Sequence, residues 1–183
     1  LLKMPVFDAI CHALTALSTG GFSPHDASID FYRQSGHANY RLIEYALTFA
    51  MMLGGINFLI HYRVLTGDIR ALWDNIEIRT WWRLIAAFTV IVMIDHFHTT
   101  GALGSLFRSG TPAGGAEGER TLRVSLFQIM SLMTTTGFGT QDIGSGFFGA
   151  ASKQLFLVMM VIGGCVGSTA GGFKVLRVAM LKQ

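Results

Sequence analysis

Two short segments rich in threonine and glycine are the residues best suited to do chemistry in this chain. They are Thr19-Gly20-Gly21-Phe22 and Thr135-Thr136-Gly137-Phe138. Glycine permits backbone angles that other L-residues resist, and an extended backbone can direct its carbonyl oxygens towards one axis. A ring of such oxygens can replace the water around a dehydrated monovalent cation, and threonine adds a hydroxyl oxygen. We therefore expect both segments to be ion-binding filter loops.

A third segment is rich in glycine and small polar residues and lies within an uncharged stretch. Its candidate functional residues are Gly163, Gly164, Gly167, Ser168, Thr169, Gly171 and Gly172. Glycine costs about 1 kcal/mol relative to alanine inside a helix, so this segment should be unwound or easily bent. The segment is either a flexible gate or a place where helices pack closely through small residues. No Gly-Lys-Ser/Thr follows and no strand pattern precedes, which argues against a phosphate-binding loop.

The ionisable residues near these segments leave several interpretations open. Asp26 and Asp142 follow the two glycine turns, where they either concentrate cations or cap a turn. The Asp95, His96 and His98 group could bind a metal, but its place near a helix end favours contact with headgroups or water. Glu44 is expected to snorkel or to pair with a loop. No HExxH motif, nucleophile–base pair or carboxylate pair on one helix face is present, which argues against an enzyme.

The composition is typical of a membrane protein. Of the 183 residues, 51% are hydrophobic and 14% are charged, whereas a soluble domain carries about a quarter charged residues. Residues 42–60, 81–97 and 154–173 are predicted to span a bilayer. The predicted polar connections cover residues 23–41, 61–79 and 99–122. The net charge of +3 is scattered between the apolar segments and forms no basic stripe, which argues against nucleic-acid binding.

Two short helices are predicted directly before the filter segments, over residues 7–18 and 124–135. About twelve residues cover roughly 18 Å, which is only part of a bilayer core of about 30 Å. Non-helical backbone at membrane depth must be buried in protein or line a watery cavity. A short helix that leads into a polar turn therefore predicts a re-entrant pore loop. Each helix would direct its negative C-terminal dipole towards the ion.

The two filter segments belong to an internal repeat. An offset of 116 places residues 18–23 on 134–139, and an offset of 117 places Gly54-Gly55 on Gly171-Gly172. The shared order of short helix, Gly-Phe turn, acidic residue and Gly-Gly-containing span predicts a duplicated unit in about one and a half copies. Because both loops have the same orientation, a channel-like ring is favoured. The alternative is a secondary transporter with discontinuous helices, coupled to sodium or protons.

These motifs resemble the filter loops of the Trk/Ktr/HKT potassium transporter superfamily. The likeness to its bacterial TrkH branch is carried by FDAICH at residues 7–12, FSPHDASI at 22–29 and GGCVGSTAGGFK at 163–174. The resemblance implies an all-α integral membrane fold with M1–pore loop–M2 repeats around a pseudo-fourfold pore. Neither filter has the T-V-G-Y-G sequence of tetrameric potassium channels, which suggests fewer well-formed ion sites.

The resemblance also implies how the chain is divided. Residues 1–60 would be the pore loop and M2 of repeat 2, residues 61–80 a cytoplasmic connection, and residues 81–183 the M1, pore loop and broken M2 of repeat 3. Lysine and arginine are almost evenly divided between the two sides. The positive-inside rule therefore does not decide the orientation, and the cytoplasmic side rests on the resemblance.

The function implied by the resemblance is potassium uptake across the cytoplasmic (inner) membrane by a multi-pass protein. Potassium would be the transported ion, Gly21 and Gly137 the filter glycines, and residues 163–172 an intramembrane gate. The implied partners are membrane lipid, a second copy in a homodimer, and a cytosolic nucleotide-binding regulatory subunit. Replacing either filter glycine with serine is expected to relax ion selectivity.

Overall fold

The computed structural model describes residues 3–101 and 112–181, and in these ranges the chain forms nine α-helices and no strand. In chain order the helices are α1 (Val6–Leu17), α2 (Asp30–Gln34), α3 (Tyr40–Gly55), α4 (Phe58–Leu65), α5 (Ala71–Asp74), α6 (Ile76–Thr99), α7 (Pro112–Met133), α8 (Ala150–Val161) and α9 (Val175–Leu181). Residues 102–111 of the predicted connection lie outside the described residues. The helical fold class is therefore confirmed for the described ranges.

Helix α7 lies at the centre of the packing. It contacts α3, α6 and α8, while α1 packs on α3 and α9 packs on α6. The core between these helices contains Met51, Ile78, Trp81, Phe127 and Phe156, which are all buried. One apolar core therefore joins the two predicted repeats.

The prediction of one continuous span over residues 42–60 is wrong. Helix α3 ends at Gly55 and α4 begins at Phe58, and the two helices are bent by 103° at this break. The Asn57 side chain caps α4, because its Oδ1 accepts a hydrogen bond from Leu59 N at 2.8 Å. Among the described residues, α3 and α4 together have the length and composition of a broken span, and no single helix is long and apolar enough to cross a membrane.

Helices α6 and α7 are both longer than predicted. The helix over residues 81–97 is confirmed, although α6 runs from Ile76 to Thr99. The predicted polar connection is wrong from Pro112 onwards, because α7 begins there and runs for 22 residues to Met133. This polar part of α7 is stabilised by the Glu119–Arg123 pair, with Nε and Oε1 at 2.9 Å, and by tertiary contacts to α3. The helix before the second filter segment is therefore not short.

The expected break in the last apolar segment is confirmed. Helix α8 ends at Val161 and α9 begins only at Val175, so residues 162–174 are not helical. An isolated β-bridge joins Ile162 to Phe173 and closes the ends of this segment. We call residues 163–172 the glycine loop. Residues 154–173 are therefore not one continuous helix. The interruption at the glycine residues is the part of the prediction that is confirmed.

Candidate functional site

The two filter segments have positive φ angles at the same two positions. Directly after α1, Thr19 has φ +53° and Gly21 has φ +68°; directly after α7, Thr135 has φ +56° and Gly137 has φ +90°. Positive φ is rare for threonine and is accessible to glycine. Both filter glycines thus lie outside ordinary helix, in turns related by the offset of 116.

The backbone hydrogen bonds of the two turns repeat at the same offset. Gly20 N donates to Thr15 O at 2.8 Å, and Thr136 N donates to Ser131 O at 2.9 Å. Such bonds, five residues apart, terminate the helix and reverse the chain. The duplication predicted from the motif order is therefore also present in the hydrogen-bond pattern.

Two hydroxyl groups that the sequence reasoning missed hold the turns from within. Ser131 Oγ donates to Phe138 O at 2.7 Å, and Thr15 Oγ1 lies 2.9 Å from Phe22 O. Ser131 and Thr15 are also related by the offset of 116. The shared hydroxyl at this repeat position was the signal that could have identified them.

Six carbonyl oxygens in the turns accept no hydrogen bond within the described residues; they belong to Thr19, Gly20, Gly21, Thr135, Thr136 and Gly137. Unpaired carbonyl dipoles attract a cation. The carbonyl oxygens of the two following phenylalanines, in contrast, already accept the hydroxyl bonds described above.

The two turns lie against each other. A Cβ built on Gly21 would overlap the carbonyl oxygen of Thr136, so only glycine allows this approach. The phenylalanine after the second turn, Phe138, is fully buried and its ring lies 5.7 Å from that of His12. Its counterpart Phe22 is 77% exposed. The aromatic ring after the glycine is therefore buried at the second turn and not at the first.

An acidic cavity of about 470 Å³ opens beside the second turn. Its lining includes Gly137, Asp26, Asp30 and Asp142. Asp142 Oδ1 accepts a hydrogen bond from Gly144 N at 2.9 Å, so this carboxylate caps a turn. Asp26 is exposed and makes no hydrogen bond or ion pair within the described residues. Of the two interpretations left open, capping therefore applies to Asp142, and Asp26 is free to attract cations.

A buried polar cluster braces the segment that follows the first turn. Asp8 Oδ2 accepts hydrogen bonds from Tyr32 Oη at 2.9 Å and from His25 Nε2 at 2.8 Å. His12 Nε2 lies 3.0 Å from Ser23 Oγ, directly after the filter. These bonds join α1 to the chain after the filter. No spacing in the sequence indicates this cluster.

Asp30, which also lines the acidic cavity, is neutralised locally. Its Oδ1 accepts a hydrogen bond from Arg33 Nε at 2.6 Å, and its Oδ2 accepts one from Gln34 Nε2 at 2.8 Å. The hydrogen bond to this carboxylate raises the pKa of the Arg33 guanidinium above its ordinary value. Asp30 therefore contributes less negative potential to the cavity than Asp26 does.

The glycine loop contacts the second filter turn and the end of the helix that precedes the first. Gly171 N donates to Thr135 Oγ1 at 2.7 Å, and Thr169 Oγ1 donates to Leu17 O at 3.1 Å. Thr135 is part of the second filter segment, and Leu17 is the last residue of α1. The structure thus brings the predicted gate residues and the predicted filter residues into one site.

The glycine loop is also bonded to the break between α3 and α4. Three backbone hydrogen bonds join them, namely Cys165 N to Gly55 O at 3.0 Å, Thr169 N to Gly54 O at 3.1 Å and Phe58 N to Gly167 O at 3.0 Å. The two Gly-Gly pairs of the internal repeat therefore lie at two helix breaks. Backbone groups left unpaired at one break form hydrogen bonds with those at the other. This pairing was not predicted, since it joins residues more than a hundred positions apart.

Three of the remaining candidate residues, Glu44, Asp95 and His96, have structural partners, whereas the His98 side chain is exposed. Glu44 does not snorkel: it is 1% exposed and forms a buried ion pair with Arg123 of α7. Asp95 Oδ2 accepts hydrogen bonds from the backbone N and the hydroxyl of Ser152, at the start of α8. His96 Nδ1 lies 2.9 Å from a backbone carbonyl oxygen. The described residues contain no group of three or more side chains that could hold a metal ion.

The chain is similar to known transport proteins over nearly its whole length. The TrkH family, described as cation transport proteins, matches residues 2–183. The Trk system potassium uptake protein TrkH of Salmonella typhimurium (strain LT2) is 31% identical, with 97% of this chain and 33% of that protein covered. The Trk system potassium uptake protein TrkG of Escherichia coli (strain K12) is 33% identical, and the match covers 99% of this chain and 33% of that protein.

The chain is also similar in structure to a solved transport protein. The crystal structure of the potassium transporter TrkH from Vibrio parahaemolyticus matches with a TM-score of 0.80 and 26% identity, and the match covers 98% of this chain and 35% of that one. The chain therefore spans about a third of the length of the relatives it matches.

Proposed function

Because the chain belongs to the TrkH family of cation transport proteins, we propose that it supplies two filter loops and the gate of a potassium uptake pore. In this proposal the potassium ion is the transported substrate. The filter is formed by residues 19–22 and 135–138, and the glycine loop obstructs the path next to it. Residues 1–60 and 81–183 are parts of repeats 2 and 3, joined by a cytoplasmic connection over residues 61–80.

The observation that carries the proposal is the pair of turns with matching positive φ angles, matching hydrogen bonds and unpaired carbonyl oxygens. Each turn offers three carbonyl groups that no donor within the described residues satisfies. Unpaired carbonyl dipoles at adjacent positions can replace the water around a dehydrated cation. The curated relatives named above are potassium uptake proteins, which supports potassium as the ion.

The test compares two glycine substitutions in the full-length protein, reconstituted in liposomes. Gly137→Ser places a side chain in the second filter turn, where a built Cβ meets nothing within 4 Å among the described residues. Gly36→Ser is the matched control, because Gly36 has φ +69° and equally open surroundings in an exposed turn away from the filter. Gly137→Ser is expected to lower the potassium-to-sodium uptake ratio, and Gly36→Ser to leave it unchanged. An unchanged ratio in both variants would contradict the proposal.

A second candidate is a secondary transporter with discontinuous helices. The observation that favours it is the presence of two broken helical segments, α3–α4 and α8–α9, in contact with each other. A pore moves potassium down its own electrochemical gradient, whereas a coupled transporter requires a sodium or proton gradient. Potassium uptake into liposomes without either gradient would exclude the second candidate.

We also propose the setting in which the protein acts. The full-length protein would be a multi-pass protein of the cytoplasmic (inner) membrane, in contact with lipid. It would form a homodimer and bind a cytosolic nucleotide-binding regulatory subunit. These proposals rest on the resemblance of the filter and glycine-loop motifs to the Trk/Ktr/HKT superfamily.

A further inference from the structure

One buried carboxylate is bonded to the glycine loop. Glu77 lies in the first turn of α6 and is 3% exposed. Its Oε1 accepts a hydrogen bond from Val166 N at 2.6 Å. Within the described residues Glu77 forms no ion pair, and this is the hydrogen bond that its side chain makes. A buried carboxylate is thus directed at the backbone of the loop.

Val166 lies in a tight turn of the loop. Ser168 N donates to Cys165 O at 3.3 Å, and Gly167 has φ +70°. The break between α3 and α4 holds this turn on one side through Gly55 O and Phe58 N. Glu77 holds it on the other side, from a different helix. The turn is therefore held between two elements.

The two contacts differ in kind. The bonds to the break are backbone to backbone, whereas the bond to Glu77 has a charged acceptor. Charge-assisted hydrogen bonds are shorter and about twice as strong as neutral ones. The side chain of Glu77 is also a contact that a single substitution can remove without altering the loop itself.

We propose that Glu77 is a positioning residue that holds the glycine loop in its obstructing position, like a latch. This inference rests on the proposed function of the loop as the gate. Release of the carboxylate from Val166 N would free the turn on the α6 side and lower the free-energy cost of moving the loop away from the filter.

The test measures initial potassium uptake by the full-length protein in liposomes. Glu77→Ala removes the acceptor, and Glu77→Gln keeps an acceptor of similar shape without the charge. Loss of a hydrogen bond to a charged group predicts about a tenfold rise in uptake for Glu77→Ala. The rise for Glu77→Gln should be smaller. Glu117→Ala is the matched control, because Glu117 is exposed, and it should not change the rate.

A second readout reports the position of the loop without transport. Cys165 is fully buried and directly precedes Val166, the residue that Glu77 holds. Its thiol should therefore react slowly with a charged methanethiosulfonate reagent. In full-length protein whose other cysteines are replaced by serine, Glu77→Ala should increase the labelling rate of Cys165 about tenfold. If Glu77→Ala does not assemble, Glu77→Gln is measured in both assays.

A rise in both uptake and labelling supports the latch. Unchanged or reduced potassium uptake by Glu77→Ala overturns the proposal, whatever the labelling rate of Cys165. Faster uptake with a wild-type labelling rate also overturns it. These results are distinguishable from failure of the proposed function. If the wild-type protein carried no potassium, the proposed function would fail, and unchanged labelling of Cys165 would still reject the latch separately.

Discussion

Removal of one buried hydroxyl tests whether the filter turns are held from within. Ser131 is fully buried, and its Oγ donates to Phe138 O at 2.7 Å. Ser131→Ala leaves this buried carbonyl without its donor, which costs about 1–3 kcal/mol. At the first turn the Thr15 hydroxyl lies between Cys11 O at 2.8 Å and Phe22 O at 2.9 Å. Because one hydroxyl proton is shared between two acceptors there, the free-energy cost of Thr15→Val should be smaller than that of Ser131→Ala.

The expected change in selectivity follows from this difference. Since about 1.4 kcal/mol corresponds to a factor of ten, Ser131→Ala should lower the preference for potassium over sodium by about tenfold, and Thr15→Val by less. Competitive uptake by the full-length protein in liposomes measures this preference. Ser125→Ala is the control, because Ser125 is buried on the same helix and its hydroxyl has no hydrogen-bond partner among the residues that the structure describes. Wild-type selectivity in folded Ser131→Ala would refute the reasoning.

Two further substitutions test packing and charge. Gly21→Ala should abolish most potassium uptake, because the new Cβ would overlap the carbonyl oxygen of Thr136 at a residue with φ +68°; wild-type uptake would count against this close approach. Glu44→Gln should lower the free energy of unfolding by about 3 kcal/mol, because it weakens the counter-charge of the buried Arg123. Thermal unfolding in detergent measures the loss, and joint replacement of both residues by apolar ones should recover much of it. A melting temperature equal to that of the wild type would show that the pair contributes little.

The filter turns could be predicted from the sequence because their causes are local. Threonine followed by glycine at the end of an apolar helix specifies both the helix end and the positive φ of Gly21 and Gly137. The first short helix was therefore placed within one residue of the observed α1, Val6–Leu17. The repeat order also survived in the structure, since each copy contains the same few residues at the same spacing.

The break after Gly55 and the start of α7 could not be predicted because their causes are tertiary. Phe58 N finds its acceptor in Gly167 of the glycine loop, so the bend exists only when the two breaks meet. Asn57, a good helix N-cap directly after two glycines, was the available local signal. Likewise, the polar residues at the start of α7 are held by bonds such as that between Glu119 and Tyr45 of α3.

The contact between Glu77 and Val166 also could not be predicted from the local sequence. Glu77 and Val166 are separated by 89 residues, and neither residue type indicates the other. A glutamate at the start of a helix is ordinarily explained by the helix dipole. Only the packing of α6 against the interrupted segment shows that this carboxylate has a backbone partner.

If the glycine loop moves as proposed, its contact with the break between α3 and α4 has a thermodynamic consequence. In an uninterrupted α3–α4 helix, Phe58 N would donate to Gly54 O. In the structure, Gly54 O accepts instead from Thr169 N, and Phe58 N donates instead to Gly167 O. Withdrawal of the loop would leave these two helix groups without their partners, and straightening of the bend would let them pair with each other. Movement of the loop can therefore be an exchange of hydrogen-bond partners, with little net loss of backbone pairing in α3 and α4.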